Sequence, residues 1–143
     1  MLFRSPYFRS LLAEAHRRTG QAAAGLRVLD EAFAAVETTD AHLYEAELYR
    51  LKGELTLQSD VPRPGSEVQQ EAEECFHKAI EIARQQQAKS FELRAVMSLA
   101  RLWQQQGERD EGHRVLFEIY NWFTEGFDTK DLQGAKVLLG GLS

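Results

Sequence analysis

The chain has 143 residues, of which 43% are apolar and 27% charged; this is typical of one globular domain and excludes a disordered or collagen-like chain. Its net charge of −5 argues against nucleic acid or an anionic membrane surface as a partner. No apolar run approaches the roughly 18 residues that a membrane span needs. The single cysteine, Cys75, cannot form an internal disulfide, so a cytoplasmic location is expected.

Composition predicts an all-α fold in a single domain. Leu, Ala, Glu and Gln together make 62 residues, whereas Val, Ile and Thr make only 16. Apolar spacing and helix breakers predict three helical hairpins, at about residues 6–37, 41–87 and 89–123. A Pro-rich insertion at about 59–66 interrupts the middle hairpin, because prolines disfavour helix there. A seventh helix is predicted at about 128–139, with Asp128 as its N-cap.

The first and third hairpins share one spacing of large, small and turn residues. The first carries Leu12, Ala13, His16, Gly20, Gly25, Leu29 and Ala32. The third carries Leu99, Ala100, Trp103, Gly107, Gly112, Leu116 and Ile119, each 87 residues further on. The middle hairpin repeats the last three positions as Ala72, Phe76 and Ala79. Its earlier large-small pair is either Leu51-Lys52 or Lys52-Gly53, and the apolar stripe of Leu48, Leu51 and Leu55 favours the former. Repeated spacing of this kind indicates stacked, equivalent units.

This pattern resembles the tetratricopeptide repeat. The resemblance implies a right-handed superhelical stack of three hairpins, closed at its C-terminal end by the seventh helix as a capping helix. Leu132, Ala135, Val137, Leu138 and Leu139 are its predicted apolar residues.

A narrower resemblance rests on three segments: 44–55, 98–103 and 122–132. They are similar to the C-terminal tail of large bacterial signalling proteins, in which a nucleotidyl cyclase or DNA-binding domain precedes a P-loop regulatory ATPase and a long repeat array. The chain itself has no GxxxxGK[ST] loop, so the resemblance implies a tail fragment without the ATPase or cyclase activity of its parent.

The concave side of such a stack is expected to receive an extended peptide or another helix. Its predicted lining comes from the first helix of each pair: Tyr7, Ser10, Glu14, Arg17, Arg94, Met97, Arg101 and Gln104. Arg94 and Arg101 lie seven residues apart on one face. They could hold a carboxylate or an acidic peptide, and the alternative is that both are simply solvated.

Both ends of the chain carry apolar side chains that need an explanation. The first repeat has no predicted lid, so Leu2, Phe3, Tyr7, Phe8, Leu11 and Leu12 predict self-association into a homo-oligomer. The C-terminal aromatic residues form either a ligand box or, as the favoured interpretation, the packing of the capping helix. They are Phe117, Tyr120, Trp122, Phe123 and Phe127.

Motifs for catalysis or metal binding are missing from the sequence. The four histidines lie 26 or more residues apart, without HExxH or paired cysteines. Cys75, among small and apolar neighbours, predicts a buried side chain rather than a nucleophile. We therefore expect no cofactor, no metal and no enzymatic activity. Two functions remain: a protein-interaction module, or an intramolecular regulatory tail that controls an attached ATPase or cyclase.

Overall fold

The computed structural model describes residues 13–34, 44–59, 62–127 and 129–142. Within these ranges it contains seven helices and no strand, which confirms the all-α prediction. The helices are α1 (residues 13–18), α2 (Ala22–Ala34), α3 (Glu45–Gln58), α4 (Gly65–Gln85), α5 (Lys89–Gln105), α6 (Arg109–Trp122) and α7 (Lys130–Leu142). The predicted self-association residues, all numbered 12 or below, lie outside the described ranges, as do Ser10 and Asp128.

Each helix from α2 to α6 packs against the next one along the chain. In addition α3 contacts α5, and α5 contacts α7. Helices α3, α5 and α7 therefore lie side by side, with α5 between the other two. Their apolar faces and those of α4 and α6 enclose fully buried side chains such as Leu51, Phe76, Leu99 and Leu116. Burial of such side chains is the main force that holds the helices together.

Three of the turns between helices have the same geometry. After α1, the Gly20 amide donates to the Arg17 carbonyl (3.2 Å) and the Gln21 amide to the His16 carbonyl (2.8 Å). After α5, Gly107 and Glu108 donate to the carbonyls of Gln104 and Trp103 over the same two distances. This is the Schellman arrangement, in which the residue after the helix adopts a positive φ. Gly20 and Gly107 have φ of 75° and 84°, as the repeat spacing predicts.

The third turn of this kind, after α4, uses a residue that sequence reasoning did not single out. Gln87 has φ of 54°, and Ala88 donates to the Ala83 carbonyl over 2.8 Å. A side chain in this left-handed region is disfavoured by contact of its Cβ with the backbone. Tight packing of α4 against α5 keeps the turn despite the missing glycine.

The structure corrects the preferred register of the middle hairpin. Gly53, rather than Lys52, makes the close approach to α4: a Cβ on Gly53 would lie 2.5 Å from the Phe76 ring. Lys52 is only half-buried, whereas Gly53 is buried. In the third hairpin, Gly112 makes a similar approach to the backbone of Ala100, with 3.3 Å from its Cβ position to the Ala100 carbonyl oxygen. The Lys52-Gly53 alternative is therefore the one that matches the packing.

Two boundaries lie a few residues from where the sequence placed them. The Pro-rich insertion is shorter than predicted, because α4 already begins at Gly65, directly after Pro64. The last helix was predicted to stop at 139 but continues to Leu142, whose side chain is buried against the core. Its predicted apolar residue Val137 is instead exposed. The Thr129 hydroxyl accepts a hydrogen bond from the Leu132 amide (3.4 Å), the arrangement of a helix N-cap.

Candidate functional site

A groove crosses four odd-numbered helices and is lined almost entirely by charged side chains. We call it the charged groove; its volume is about 160 Å³. Its lining residues are Glu14 and Arg17 from α1, Arg50 from α3, Arg94, Met97 and Arg101 from α5, and Lys130 and Asp131 from α7. Five cations and two carboxylates therefore face one depression, on a chain whose net charge is −5.

Glu47 lies at the centre of the ion pairs beside this groove and is buried. Its carboxylate accepts two hydrogen bonds from Arg50, at 2.7 and 3.0 Å, within α3. The Arg94 guanidinium approaches the same carboxylate from α5, at 2.7 Å. Glu47 and Arg50 are each only 7% exposed at the side chain, so this buried carboxylate contacts one buried guanidinium and that of Arg94, which is one third exposed.

Two weaker contacts extend this network to the flanking helices. Arg50 lies 3.9 Å from Glu14 of α1, and Arg94 lies 3.9 Å from Asp131 of α7. All four odd-numbered helices are thus joined through charged groups along the groove.

Glu14 is held in its charged form by its surroundings. Burial by itself would raise the pKa of Glu14, but hydrogen bonds from Arg17 and the charges of Arg17 and Arg50 outweigh it and lower the pKa to about 2. Arg17 donates from Nε and Nη2 to the two carboxylate oxygens, at 2.9 and 2.7 Å. This bidentate contact fixes the position of Arg17 at the edge of the groove.

The buried guanidinium of Arg50 stays protonated. Desolvation by itself would lower the pKa of Arg50. The hydrogen bond to Glu47 and the charges of Glu47, Glu54 and Glu14 outweigh it, so the pKa is raised above its usual value. Glu54 also adds its charge to the surroundings of Arg17. Cations outnumber carboxylates in and around the groove even when Glu47 and Glu54 are counted with the lining residues.

Two cations of the groove have no ion-pair partner within the described ranges: Arg101 and Lys130, both exposed. Both line the groove together with Arg94, which is one third exposed at the side chain. Unlike Arg94, Arg101 and Lys130 can bind an added anion without first breaking an internal ion pair.

The structure brings together five of the eight residues that the sequence predicted for this surface. Glu14, Arg17, Arg94, Met97 and Arg101 line the charged groove. Gln104 does not; its amide donates to the Gly141 carbonyl of α7 over 3.4 Å. Tyr7 and Ser10 lie outside the described residues. The alternative that Arg94 and Arg101 are both solvated does not describe Arg94, because it is bound to Glu47.

Sequence reasoning missed the contribution of the middle hairpin. The Lys52-Gly53 register relates α3 to α5 by 47 residues, and it places Glu47, Arg50 and Glu54 at the positions of Arg94, Met97 and Arg101. Choosing Leu51-Lys52 hid this correspondence. Lys130 and Asp131 were missed because α7 was interpreted only as an apolar cap.

A second cavity lies where the N-terminal ends of α5 and α7 meet the loop after α6. We call it the aromatic pocket; its volume is about 620 Å³. It is lined by Ser90, Leu93, Trp122, Phe123, Thr124, Glu125, Gly126, Thr129, Asp131 and Leu132. Of the five predicted C-terminal aromatic residues, Trp122 and Phe123 line it.

The other three C-terminal aromatic side chains make contacts elsewhere. Tyr120 packs against Phe127 with ring centroids 5.7 Å apart, and Phe117 stacks on His113 at 5.6 Å. The five residues therefore do not form one box. The capping interpretation accounts for part of the segment, since Leu132, Ala135, Leu139 and Leu142 of α7 pack into the main core.

The remaining candidates for catalysis or metal binding are Cys75 and the potential metal ligands. Cys75 is buried, and burial raises the pKa of its thiol, which disfavours the reactive thiolate. No group of three or more potential ligands for a metal ion occurs among the described residues. None of the helices in that part of the chain combines the length and apolar character needed to cross a bilayer.

Comparison with known proteins found no match: no family model, no curated protein and no solved structure is similar to this chain.

Proposed function

We propose that this chain is a non-catalytic protein-interaction module that binds an acidic peptide segment in the charged groove. The observation that carries the proposal is the excess of cations over carboxylates in a depression shared by α1, α3, α5 and α7, on an otherwise acidic chain. A carboxylate-bearing peptide complements this charge, and electrostatic complementarity contributes to both selectivity and association rate.

The fold proposed for this function is a superhelical stack of three tetratricopeptide hairpins. Its support is the same turn geometry at Gly20 and Gly107, which lie 87 residues apart, and the contact of α3 with α5 and of α5 with α7. In such a stack the first helices of successive hairpins line the concave side. The charged groove lies on α1, α3 and α5, which are those first helices in the proposed stack, and on the N-terminal end of α7.

Arg101 and Lys130 are the proposed anchors for the peptide carboxylates, because neither is used by an ion pair within the described ranges. Arg94 and Arg17 are already paired and serve mainly to position the groove walls. Met97 supplies an apolar surface between the charges, and its flexible thioether adapts to different side chains.

The test uses a fluorescein-labelled peptide of alternating glutamate and alanine, and the same peptide with glutamine in place of glutamate. Fluorescence polarisation should show binding of the glutamate peptide that weakens with added salt, and little binding of the glutamine peptide. Arg101→Glu should weaken binding about tenfold, because it replaces an attraction by a repulsion. Arg109→Glu, the same change at an exposed position on α6, is the matched control. Equal effects of the two substitutions, or equal binding of both peptides, would contradict the proposal.

We also propose that the module is the regulatory tail of a larger bacterial signalling protein. The support is the resemblance of segments 44–55, 98–103 and 122–132 to such tails. The acidic peptide would then belong either to a separate protein or to the ATPase region of the same chain. An ATPase or cyclase domain encoded in frame upstream of Met1 would support the proposal, and a different upstream domain would contradict it.

A further inference from the structure

The aromatic pocket differs from the charged groove in the sign of its charge. None of its ten lining residues is a cation, whereas Glu125 and Asp131 are carboxylates. Trp122 and Phe123 contribute aromatic surface, with their rings 5.2 Å apart and nearly perpendicular. Ser90, Thr124 and Thr129 add hydroxyl groups to the same wall.

The volume and lining fit a small ligand. About 620 Å³ lies within the usual size range of small-molecule sites, and such sites combine apolar walls with a few polar groups. Leu93 and Leu132 form the apolar part of the wall, both deeply buried. Trp122, by contrast, is 56% exposed, so its ring is accessible from solvent.

The Trp122 ring already interacts with an ammonium group of the chain itself. The Lys89 Nζ atom lies 5.4 Å from the centroid of the ring, within the range of a cation–π interaction. The same Nζ lies 3.1 Å from a carboxylate oxygen of Glu92. In this structure an ammonium therefore lies close to both an aromatic ring and a carboxylate. The pocket offers a similar pair of groups, the Trp122 ring and the Glu125 carboxylate.

Glu125 is the carboxylate available to a ligand. Asp131 also lines the charged groove and lies 3.9 Å from Arg94, so its charge is partly neutralised. Glu125 is exposed and has no ion pair with another described residue. A cation in the pocket would meet the Glu125 carboxylate, and it would share the Trp122 ring with the Lys89 ammonium or displace that ammonium from the ring.

We propose that the aromatic pocket binds an alkylammonium group, held between Trp122 and Glu125. The group is either the side chain of a lysine in a partner peptide or the ammonium end of a free amine. This site is separate from the proposed peptide groove, since the two cavities share only Asp131.

The experiment is a titration of the ¹⁵N-labelled chain with n-butylammonium chloride, followed by NMR. The two tryptophan indole N–H signals give an internal control: Trp122 lines the pocket, whereas Trp103 is buried and donates to Glu73 over 3.0 Å. The Trp122 signal should shift and saturate, with a dissociation constant in about the millimolar range, while that of Trp103 stays in place. Sodium chloride at the same ionic strength should not reproduce the shift.

n-Butanol separates charge recognition from simple apolar binding. It matches the butyl chain but lacks the positive charge, so it should bind at least about threefold more weakly than butylammonium. Equal binding of the two compounds, or no saturable shift of the Trp122 signal, would overturn the proposal.

Two substitutions locate the site. Glu125→Gln should weaken butylammonium binding about threefold to tenfold, while Glu74→Gln, an exposed control on α4, should leave it unchanged. Trp122→Leu should weaken binding about tenfold, with the Gly126 amide as the reporter in place of the lost indole. Unchanged binding in both pocket variants would contradict the assignment.

A final arm distinguishes the two sources of the ammonium. Tighter binding of N-acetyl-lysine amide than of butylammonium would support a lysine of a partner peptide, and weaker binding would support a free amine. Because the readout is the Trp122 signal, a failed glutamate-peptide experiment leaves this site unaffected, and the reverse also holds.

Discussion

The charged groove and the outer surface of α6 contain the same types of charged residue, but the ion pairs connect different parts of the molecule. In the groove, Glu47 of α3 binds Arg94 of α5, and Arg94 lies near Asp131 of α7, so the ion pairs join different helices. On α6, Arg114 pairs with Glu111 and Glu118 of its own helix, and all three side chains are exposed. Only the first arrangement can fix the distance between helices. The position of a charge relative to the helix seams therefore decides whether it shapes a site or merely solvates a surface.

The largest expected difference between the two regions concerns loss of one carboxylate. Glu47→Gln leaves the buried Arg50 guanidinium without its main partner, and we expect the free energy of unfolding to fall by about 3 kcal/mol. Glu111→Gln removes the corresponding partner of Arg114 on the exposed surface, where water screens the pair and we expect little or no change in stability. Urea unfolding followed by circular dichroism measures both. Similar losses in the two variants would show that burial does not distinguish the regions.

The stability of the folded chain should also depend on pH through Glu14, which lines the groove. The pKa of Glu14 is lowered to about 2 in the folded chain, so the folded state binds fewer protons there than the unfolded state. Its contribution to stability is present above the ordinary carboxyl pKa of 4.5 and is lost as the pH falls from about 4.5 towards 2.

Replacement of Glu14 tests this assignment. Glu14→Gln should be less stable than the parent chain at pH 7, and the difference should shrink steadily as the pH falls through that range. Urea titrations at several pH values measure it. A difference that stays constant with pH would contradict the ionic contribution of Glu14.

The smallest expected effect concerns a buried hydroxyl group on α5. Ser98 lies on the helix between Arg94 and Arg101 but is buried, and its hydroxyl has no hydrogen-bond partner among the described residues. Ser98→Ala should leave stability unchanged or raise it by up to about 1 kcal/mol, because an unsatisfied polar group is removed.

Thr56→Val is the contrasting variant. The Thr56 hydroxyl donates to the Lys52 carbonyl over 2.7 Å, and its loss should cost about 0.5–1.5 kcal/mol. Thermal unfolding of both variants is the measurement, and a clear loss of stability in Ser98→Ala would show that its hydroxyl is satisfied after all.

Sequence alone predicted the helices and two of their turns because these depend on local patterns. Gly20 and Gly107 mark their turns because a positive φ favours glycine. The turn at Gln87 carried no such mark, since tertiary packing imposes its conformation. The end of α7 was misplaced for a related reason: Gly140 and Gly141 are poor helix formers, but burial of Leu142 keeps the last turn helical.

The groove was predictable in part. Repeat spacing selected residues of the first and third hairpins that line the groove. It could not select those of the second hairpin, because the contacts around Gly53 were needed to decide its register. The aromatic pocket was even harder to predict from the sequence. Trp122 and Phe123 were noticed as aromatic residues, but the cavity arises from how the loop after α6 passes the ends of α5 and α7, which no spacing in the sequence specifies.

The most direct test of the central claim is to map the glutamate–alanine peptide onto the assigned ¹⁵N spectrum of the chain. Binding in the charged groove predicts that the largest shifts occur at Met97, Arg101 and Lys130, on helices that the sequence separates but the groove brings together. Shifts concentrated instead on Arg109 and Arg114 of α6, or spread evenly over all exposed cations, would contradict it.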